Sequence, residues 1–347
     1  VSKEAAKLYA SPPRAIGSRI DSIMKKSVVT VCLLAVSLSA FAQDAPPASP
    51  RASLAVPADA PPPKSAPPGP YEVTVEANEG LPTHTIYRPA DLTKFGGDKK
   101  LPIVSWGNGA CANVGTLFQE FLKQVASHGY IAISIGPKDA PLPVFARGAE
   151  GSEPAASEPA AIPPPQSRDE QLLDAIDWAL KENARQDSPY HGRLNAERIA
   201  VMGQSCGGLQ TIAVSSDPRI TTSVLWNSGT FAEGSNPMAT RLSKAKKSDL
   251  AKLHAPIAYF IGGPSDIAYP QAEDDFKHIN VPVFKGNLNV GHGGTFRHPG
   301  AGWFGEVGVA WLDWQLKGDA RAAKYFVGED CILCANPSWH VEKKGID

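Results

Sequence analysis

From Tyr71 onward, short apolar runs alternate with segments of helical period, and this alternation limits the fold more than any other feature of the chain. Tyr71 to Glu76 and His84 to Arg88 have period two and are expected as antiparallel edge strands. Leu101 to Trp106, Tyr130 to Ile135, Arg198 to Met202, Ile220 to Leu225, Ile257 to Ile261 and Val281 to Phe284 are the short runs that strands covered on both faces require. Between them Leu117, Phe118, Phe121, Leu122 and Val125 recur at helical spacing. So do Leu172, Leu173, Ile176, Ala179 and Leu180, behind a capping box of Ser167 and Glu170. Leu209 to Val214 reads as a further helix, and an amphipathic helix from about Trp303 to Leu316 closes the pattern. Strand and helix in strict order give an α/β class: one folded domain, 71–347, with a mostly parallel central sheet and helices on both faces.

Two stretches stand outside this pattern. Asp44 to Pro70 holds ten prolines in 27 residues with almost nothing large and apolar between them, so 43–70 is expected to be a disordered linker. Gly148 to Pro165 shares the bias but interrupts patterned sequence, which makes 148–165 a loop insertion. Further upstream, Met24-Lys25-Lys26, the apolar run Val28 to Leu38 and Ala40-Phe41-Ala42 read as a signal peptide, 24–42, with the mature chain starting at Gln43. Residues 1–23 are then an extension ahead of the true start. The apolar run is too short to span a bilayer, so no membrane insertion is expected once the signal is gone. A cytosolic protein with a buried N-terminal helix is the alternative, and the proline-rich stretch that follows speaks against it.

Secretion, to the periplasm or beyond, places the cysteines in an oxidising compartment. Cys32 leaves with the signal; Cys111, Cys206, Cys331 and Cys334 remain, enough for two disulfides with three possible connectivities. A formal net charge of -1 lacks the basic excess that holds a phosphate backbone, so nucleic acid is not an expected partner. A monomer is expected.

Gly203-Gln204-Ser205-Cys206-Gly207-Gly208 lies between a strand and a helix, the setting in which G-x-S-x-G forms a nucleophile elbow. A serine hydroxyl needs an imidazole to take its proton, and the imidazole needs a carboxylate to hold its tautomer. Asp266 follows the strand Ile257 to Ile261, and His292 follows Val281 to Phe284 in a glycine-flanked loop, at spacings of 266 - 205 = 61 and 292 - 266 = 26. His298, Asp274 and Asp275 are the fallback partners.

The tetrahedral oxyanion needs two convergent backbone N–H groups. Cys206 supplies one, and the loop Trp106-Gly107-Asn108-Gly109-Ala110-Cys111 the other, from Asn108 first or Ala110 second. That brings Cys111 and Cys206 into neighbouring loops, where they can be bonded, while Cys331 and Cys334 close locally or tie down the C-terminus. Cys331 and Cys334 with only His340 nearby lack a fourth zinc ligand, so no metal is expected.

These residues resemble the α/β-hydrolase superfamily of serine esterases across roughly Tyr71 to Phe326, in the branch that joins dienelactone-hydrolase-like esterases with bacterial cutinase-like polyester hydrolases. Ala126-Ser127-His128-Gly129-Tyr130 is similar to that branch's segment before its fourth strand, and the elbow to its elbow. Leu225-Trp226-Asn227-Ser228 resembles the segment that sets an aromatic wall beside the ester, which makes Trp226 a candidate substrate contact, with a core tryptophan as the alternative. Ser205, Asp266 and His292 match the family's triad. The resemblance implies an α/β-hydrolase fold and hydrolysis of a small or polymeric ester without a cofactor.

There are departures. Cys206 stands where those polyester hydrolases usually carry Met, tannase-like esterases place a cysteine before the serine, and 148–165 has no counterpart. Dienelactone hydrolases proper use a cysteine nucleophile, where this chain has Ser205. The leading expectation is a secreted carboxylic-ester hydrolase working through an acyl-serine. A cutinase-like polyester hydrolase, a secreted peptidase of the same fold and a binding protein on a decayed hydrolase fold are the alternatives.

Overall fold

In a computed structural model, which describes residues 56–143, 166–232 and 239–347, nine strands join in one sheet. They are β1 (Val73–Glu76), β2 (His84–Pro89), β3 (Leu101–Gly107), β4 (Ile131–Ile135), β5 (Leu194–Gln204), β6 (Thr222–Trp226), β7 (Ile257–Ile261), β8 (Val283–Leu288) and β9 (Trp339–Lys344). Their order is β1-β2-β4-β3-β5-β6-β7-β8-β9. The strands from β3 to β8 run parallel, and antiparallel β1, β2 and β9 complete the two edges. This is the α/β-hydrolase architecture. The extension 1–23, the signal segment 24–42 and the insertion 148–165 lie outside the described residues.

Helices α1 (Gln119–Ser127), α2 (Gln171–Ala184), α3 (Cys206–Val214), α4 (Ala239–Leu242), α5 (Tyr269–His278), α6 (Gly302–Lys317) and α7 (Ala320–Ala323) connect and cover the strands. Side-chain parity sorts the core. Val104 and Trp106, Ala200 and Met202, Val224 and Trp226, and Ala258 and Phe260 pack on one face with Phe121 of α1 and Phe304, Val307 and Trp311 of α6. Leu101, Ile103, Ile199 and Val201 pack on the other with Leu172 and Ile176 of α2, and Leu225, Ile257, Tyr259 and Ile261 with Ile212 and Ala272. Each of the Val, Leu, Ile, Met and Phe side chains among them contributes about 1.5 to 3 kcal/mol by leaving water.

Trp226 belongs to this core, which corrects its reading as a substrate contact. It is fully buried, stacks on Phe260 at 4.7 Å between ring centroids and meets Phe121 and Phe296 edge-on. A strand covered on both faces is apolar at every position, so its sequence does not show which face a residue takes. Trp226→Ala is expected to cost about 3 to 5 kcal/mol of stability, with KM for aromatic and acetate esters shifting equally. Chemical denaturation and the ratio of the two KM values check this.

Three other differences have physical reasons. No capping box precedes α2: its N-cap is Glu170, and Ser167 instead gives its hydroxyl to the Cys111 carbonyl. Strand β9 has no sequence signal of its own, because Trp339-His340-Val341-Glu342-Lys343-Lys344 covers an edge and half of its residues are charged. Residues 56–70, expected to be disordered, pack along the domain, where Ala66 is buried and Gln124 Nε2 donates to the Pro67 carbonyl at 2.6 Å. Proline-rich backbone is pre-extended and leaves its carbonyls free to accept.

The parallel strands end together. Gly107 pairs with Gly203, Gln204 with Trp226, and Trp226 with Phe260, so the loops that follow β3, β5, β6, β7 and β8 emerge along one carboxyl edge. That is the edge at which ligands bind in open α/β sheets.

Candidate active site

Ser205 sits in the one-residue turn between β5 and α3 with φ 53° and ψ -116°, a backbone state that L-residues avoid. The turn closes because its neighbours lack side chains. A Cβ at Gly203 would overlap the Gly207 carbonyl, and one at Gly207 would overlap the Gly107 carbonyl. Ser205 N–H donates to the Trp226 carbonyl, and Ser228 Oγ donates to the Ser205 carbonyl at 2.7 Å. The strained residue is thus held from both sides.

His292 Nε2 lies 2.9 Å from Ser205 Oγ, and His292 Nδ1 lies 2.6 Å from Asp266 Oδ1. A carboxylate only accepts, so Nδ1 carries the proton and Nε2 is left to accept from the serine hydroxyl. Asp266 and His292, expected from their order and from their strand-end loops, therefore form a hydrogen-bonded line that ends on Ser205. The fallback residues stand elsewhere: Asp274 pairs with Lys247, Asp275 accepts from Thr230 and Lys247, and His298 precedes the turn 299–301.

Asp266 is buried, which opposes its ionisation. Hydrogen bonds outweigh this and hold the carboxyl below its ordinary range: His292 and Ala268 N–H donate to Oδ1, Asn227 Nδ2 (2.6 Å) and Gly262 N–H (3.0 Å) to Oδ2. No triad motif names Asn227, which directly follows Trp226. Its signal was a polar residue directly after a strand of the same edge. Gln204 was missed as well: its amide donates to the His292 carbonyl at 3.1 Å and lies against Gly109. Ile267, next to Asp266, is 53% exposed and adds apolar surface to this edge.

Asn227 has φ 46°, which glycine tolerates, so Asn227→Gly isolates the amide's contribution. A hydrogen bond to a charged group is worth about 1.5 to 3 kcal/mol, and kcat is expected to fall about 10- to 100-fold with KM little changed. The stability effect has a sign. Since the folded carboxyl titrates below the unfolded value near 3.9, ionised Asp266 adds stability that is complete above about pH 4 and lost as pH falls through the folded value. The Tm gap between wild type and Asn227→Gly should be wide at pH 7 and narrow toward pH 2 in thermal scans.

Cys206 opens α3, so its N–H is among those that a helix leaves without an internal partner, at the positive end of the helix dipole. The loop after β3 meets it there. Cys111 and Cys206 form a disulfide with their Cα atoms 5.2 Å apart, and Cys331 and Cys334 form the second. The Asn108 side chain turns inward, accepting from Trp106 Nε1 and donating to the carbonyls of Ala112, Val114 and Ile135. Only its backbone is left for a ligand. Ala110 and Cys111 both have left-handed φ, 55° and 47°.

A family model described as PETase, PET hydrolase-like, matches residues 159–252. That stretch contains the elbow and Asn227 but neither Asp266 nor His292. No curated protein matches the chain. The matched stretch and the sheet together make the chain similar to the polyester-hydrolase branch of the α/β-hydrolase superfamily, whose reaction is the hydrolysis of esters.

Proposed function

We propose that the protein is a secreted serine hydrolase of carboxylic esters. The hydrogen-bonded line Asp266–His292–Ser205 at the carboxyl edge of the sheet carries this reading. In acylation, Ser205 Oγ attacks the ester carbonyl while its proton passes to His292 Nε2. The negative charge develops on the carbonyl oxygen, where the N–H groups of Cys206 and Asn108 form the hole, with Ala110 as second candidate for the latter. His292 then returns the proton to the leaving alkoxide, which departs as the alcohol and leaves an acyl-serine. Water, deprotonated by His292, attacks the acyl carbon, and the acid leaves as Ser205 regains its proton. Asp266 stabilises the imidazolium at each step.

The PETase-like stretch and the exposed Ile267 favour an apolar ester, and polyester is the second reading. A panel of chromogenic esters of varied acyl length, run beside a polyester film and a peptide substrate, separates the readings. Cleavage of short esters and film supports the polyester assignment, esters alone a small-ester hydrolase, and peptide cleavage without ester cleavage overturns both. Secretion predicts that the exported protein begins at Gln43, which N-terminal sequencing checks; a mature chain retaining Met24 contradicts it.

A further inference from the structure

We infer that the proline-rich segment 56–70 is a strap that positions the loop bearing His292, an inference that rests on the reading of His292 as the base. That loop, Asn289 to Gly302, joins β8 to α6 and contains five glycines in fourteen residues, a composition that costs much conformational entropy to order. The strap grips both of its ends. Upstream, Asp59 Oδ1 accepts from Asn289 Nδ2 at 2.7 Å, and Asn289 itself lies against Gly263, at the start of the loop that carries Asp266. Downstream, Ala66 N–H donates to the Pro299 carbonyl at 3.2 Å.

Two glycines make room for it. A Cβ at Gly300 would stand 2.6 Å from the Ala66 carbonyl oxygen, and one at Gly302 would stand 2.7 Å from that of Lys64. Lys64 lies over the Trp303 ring at 4.1 Å and pairs with Glu306 on the first turns of α6. The far end of the strap is moored to α1, where Gly69 N–H donates to Ser127 Oγ at 2.9 Å and Gln124 holds the Pro67 carbonyl.

The spacing suits a rigid brace. Six residues separate Asp59 from Ala66, three of them consecutive prolines, and the seven residue-to-residue steps of such an extended segment span about 22 Å at roughly 3.1 Å per residue. Such a backbone loses little freedom on docking, so modest contacts at each end restrain the glycine-rich loop between them. Asp59, Lys64 and Asn289 are accordingly positioning residues, which act through the loop and not on the substrate.

The test compares wild type with Asp59→Ala/Lys64→Ala and with a chain lacking residues 43–65, by amide hydrogen exchange and by kinetics on a short chromogenic ester. Exchange is expected to quicken about tenfold in 289–302 and to stay unchanged in β3 to β7. Turnover should fall about 5- to 20-fold with KM within twofold, and Asp59→Glu/Lys64→Arg should recover most of it. Unchanged exchange in 289–302, or a uniform loss of protection across the sheet, overturns the strap. The exchange readout needs no catalysis, so it stands apart from the ester-hydrolase reading, which fails instead if Ser205→Ala with the strap intact retains activity.

Discussion

Ser205→Ala is expected to lower turnover of a chromogenic acetate ester by roughly a millionfold, the loss seen when the nucleophile of a serine hydrolase is removed. What remains is the rate supplied by binding and by the oxyanion donors, about 10³- to 10⁴-fold over water. His292→Ala should cost about as much, and the double variant little more, because the two act as one unit on a single proton transfer across 2.9 Å. A phosphonate ester should label wild type once, at Ser205, and leave Ser205→Ala unlabelled. Two outcomes contradict the assignment: more than about one part in a hundred of wild-type turnover in Ser205→Ala, or additive losses in the double variant.

Ser205, Asp266 and His292 could be proposed from the sequence because a serine-hydrolase mechanism would need three residue types in one order, and strand-end loops are recognisable from the apolar runs before them. The residues that hold them were not. Asn227 bonds to Asp266 across 39 residues and Gln204 to His292 across 88, pairings that exist only once β5, β6, β7 and β8 lie side by side. Trp226 was ambiguous for a local reason: the last residue of a doubly covered strand takes its face from parity, and the run gives no alternation to read. The strap was hidden by its composition. Proline and alanine carry no apolar period, and the contacts of 56–70 run mostly through backbone groups that any sequence possesses.

Strain follows the same edge. Among the described residues, five non-glycine positions have positive φ: Ala110, Cys111, Ser205, Asn227 and Ala301. Four are in the three loops around Ser205, and the fifth ends the segment that bears His292. Each costs about 1 to 3 kcal/mol, and each is held by a named contact or by the core. Alanine in a left-handed turn has no sequence signature, which is why the shape of the Gly109 to Cys111 turn could not be foreseen.

The Cys111 to Cys206 disulfide holds that turn, and its loss should reach turnover before it reaches the fold. Closing a loop of 95 residues constrains the unfolded chain by between about 4 and 5 kcal/mol in the entropic treatment. Stability therefore falls in Cys111→Ala/Cys206→Ala, and Tm reports it. The functional effect has a different origin. The Cys206 N–H is a proposed oxyanion donor, and the bond joins its residue to the loop that would supply the second. Freed of the bond, Ala110 and Cys111 can leave their left-handed conformation and carry the Asn108 backbone with them. Complete loss of one oxyanion donor costs about 100- to 1000-fold in kcat. Complete loss is not expected here, because the Cys111 carbonyl still accepts from Gln166 N–H, Ser167 N–H and Ser167 Oγ, and Asn108 keeps its inward bonds. The expected fall in kcat is thus about 10- to 100-fold, with KM within about threefold and phosphonate labelling of Ser205 slowed in proportion. Cys331→Ala/Cys334→Ala, which opens the bridge remote from the elbow, should leave kcat unchanged and serves as the control. Equal turnover in wild type and Cys111→Ala/Cys206→Ala, measured below the Tm of both, would leave the bridge a structural clamp alone.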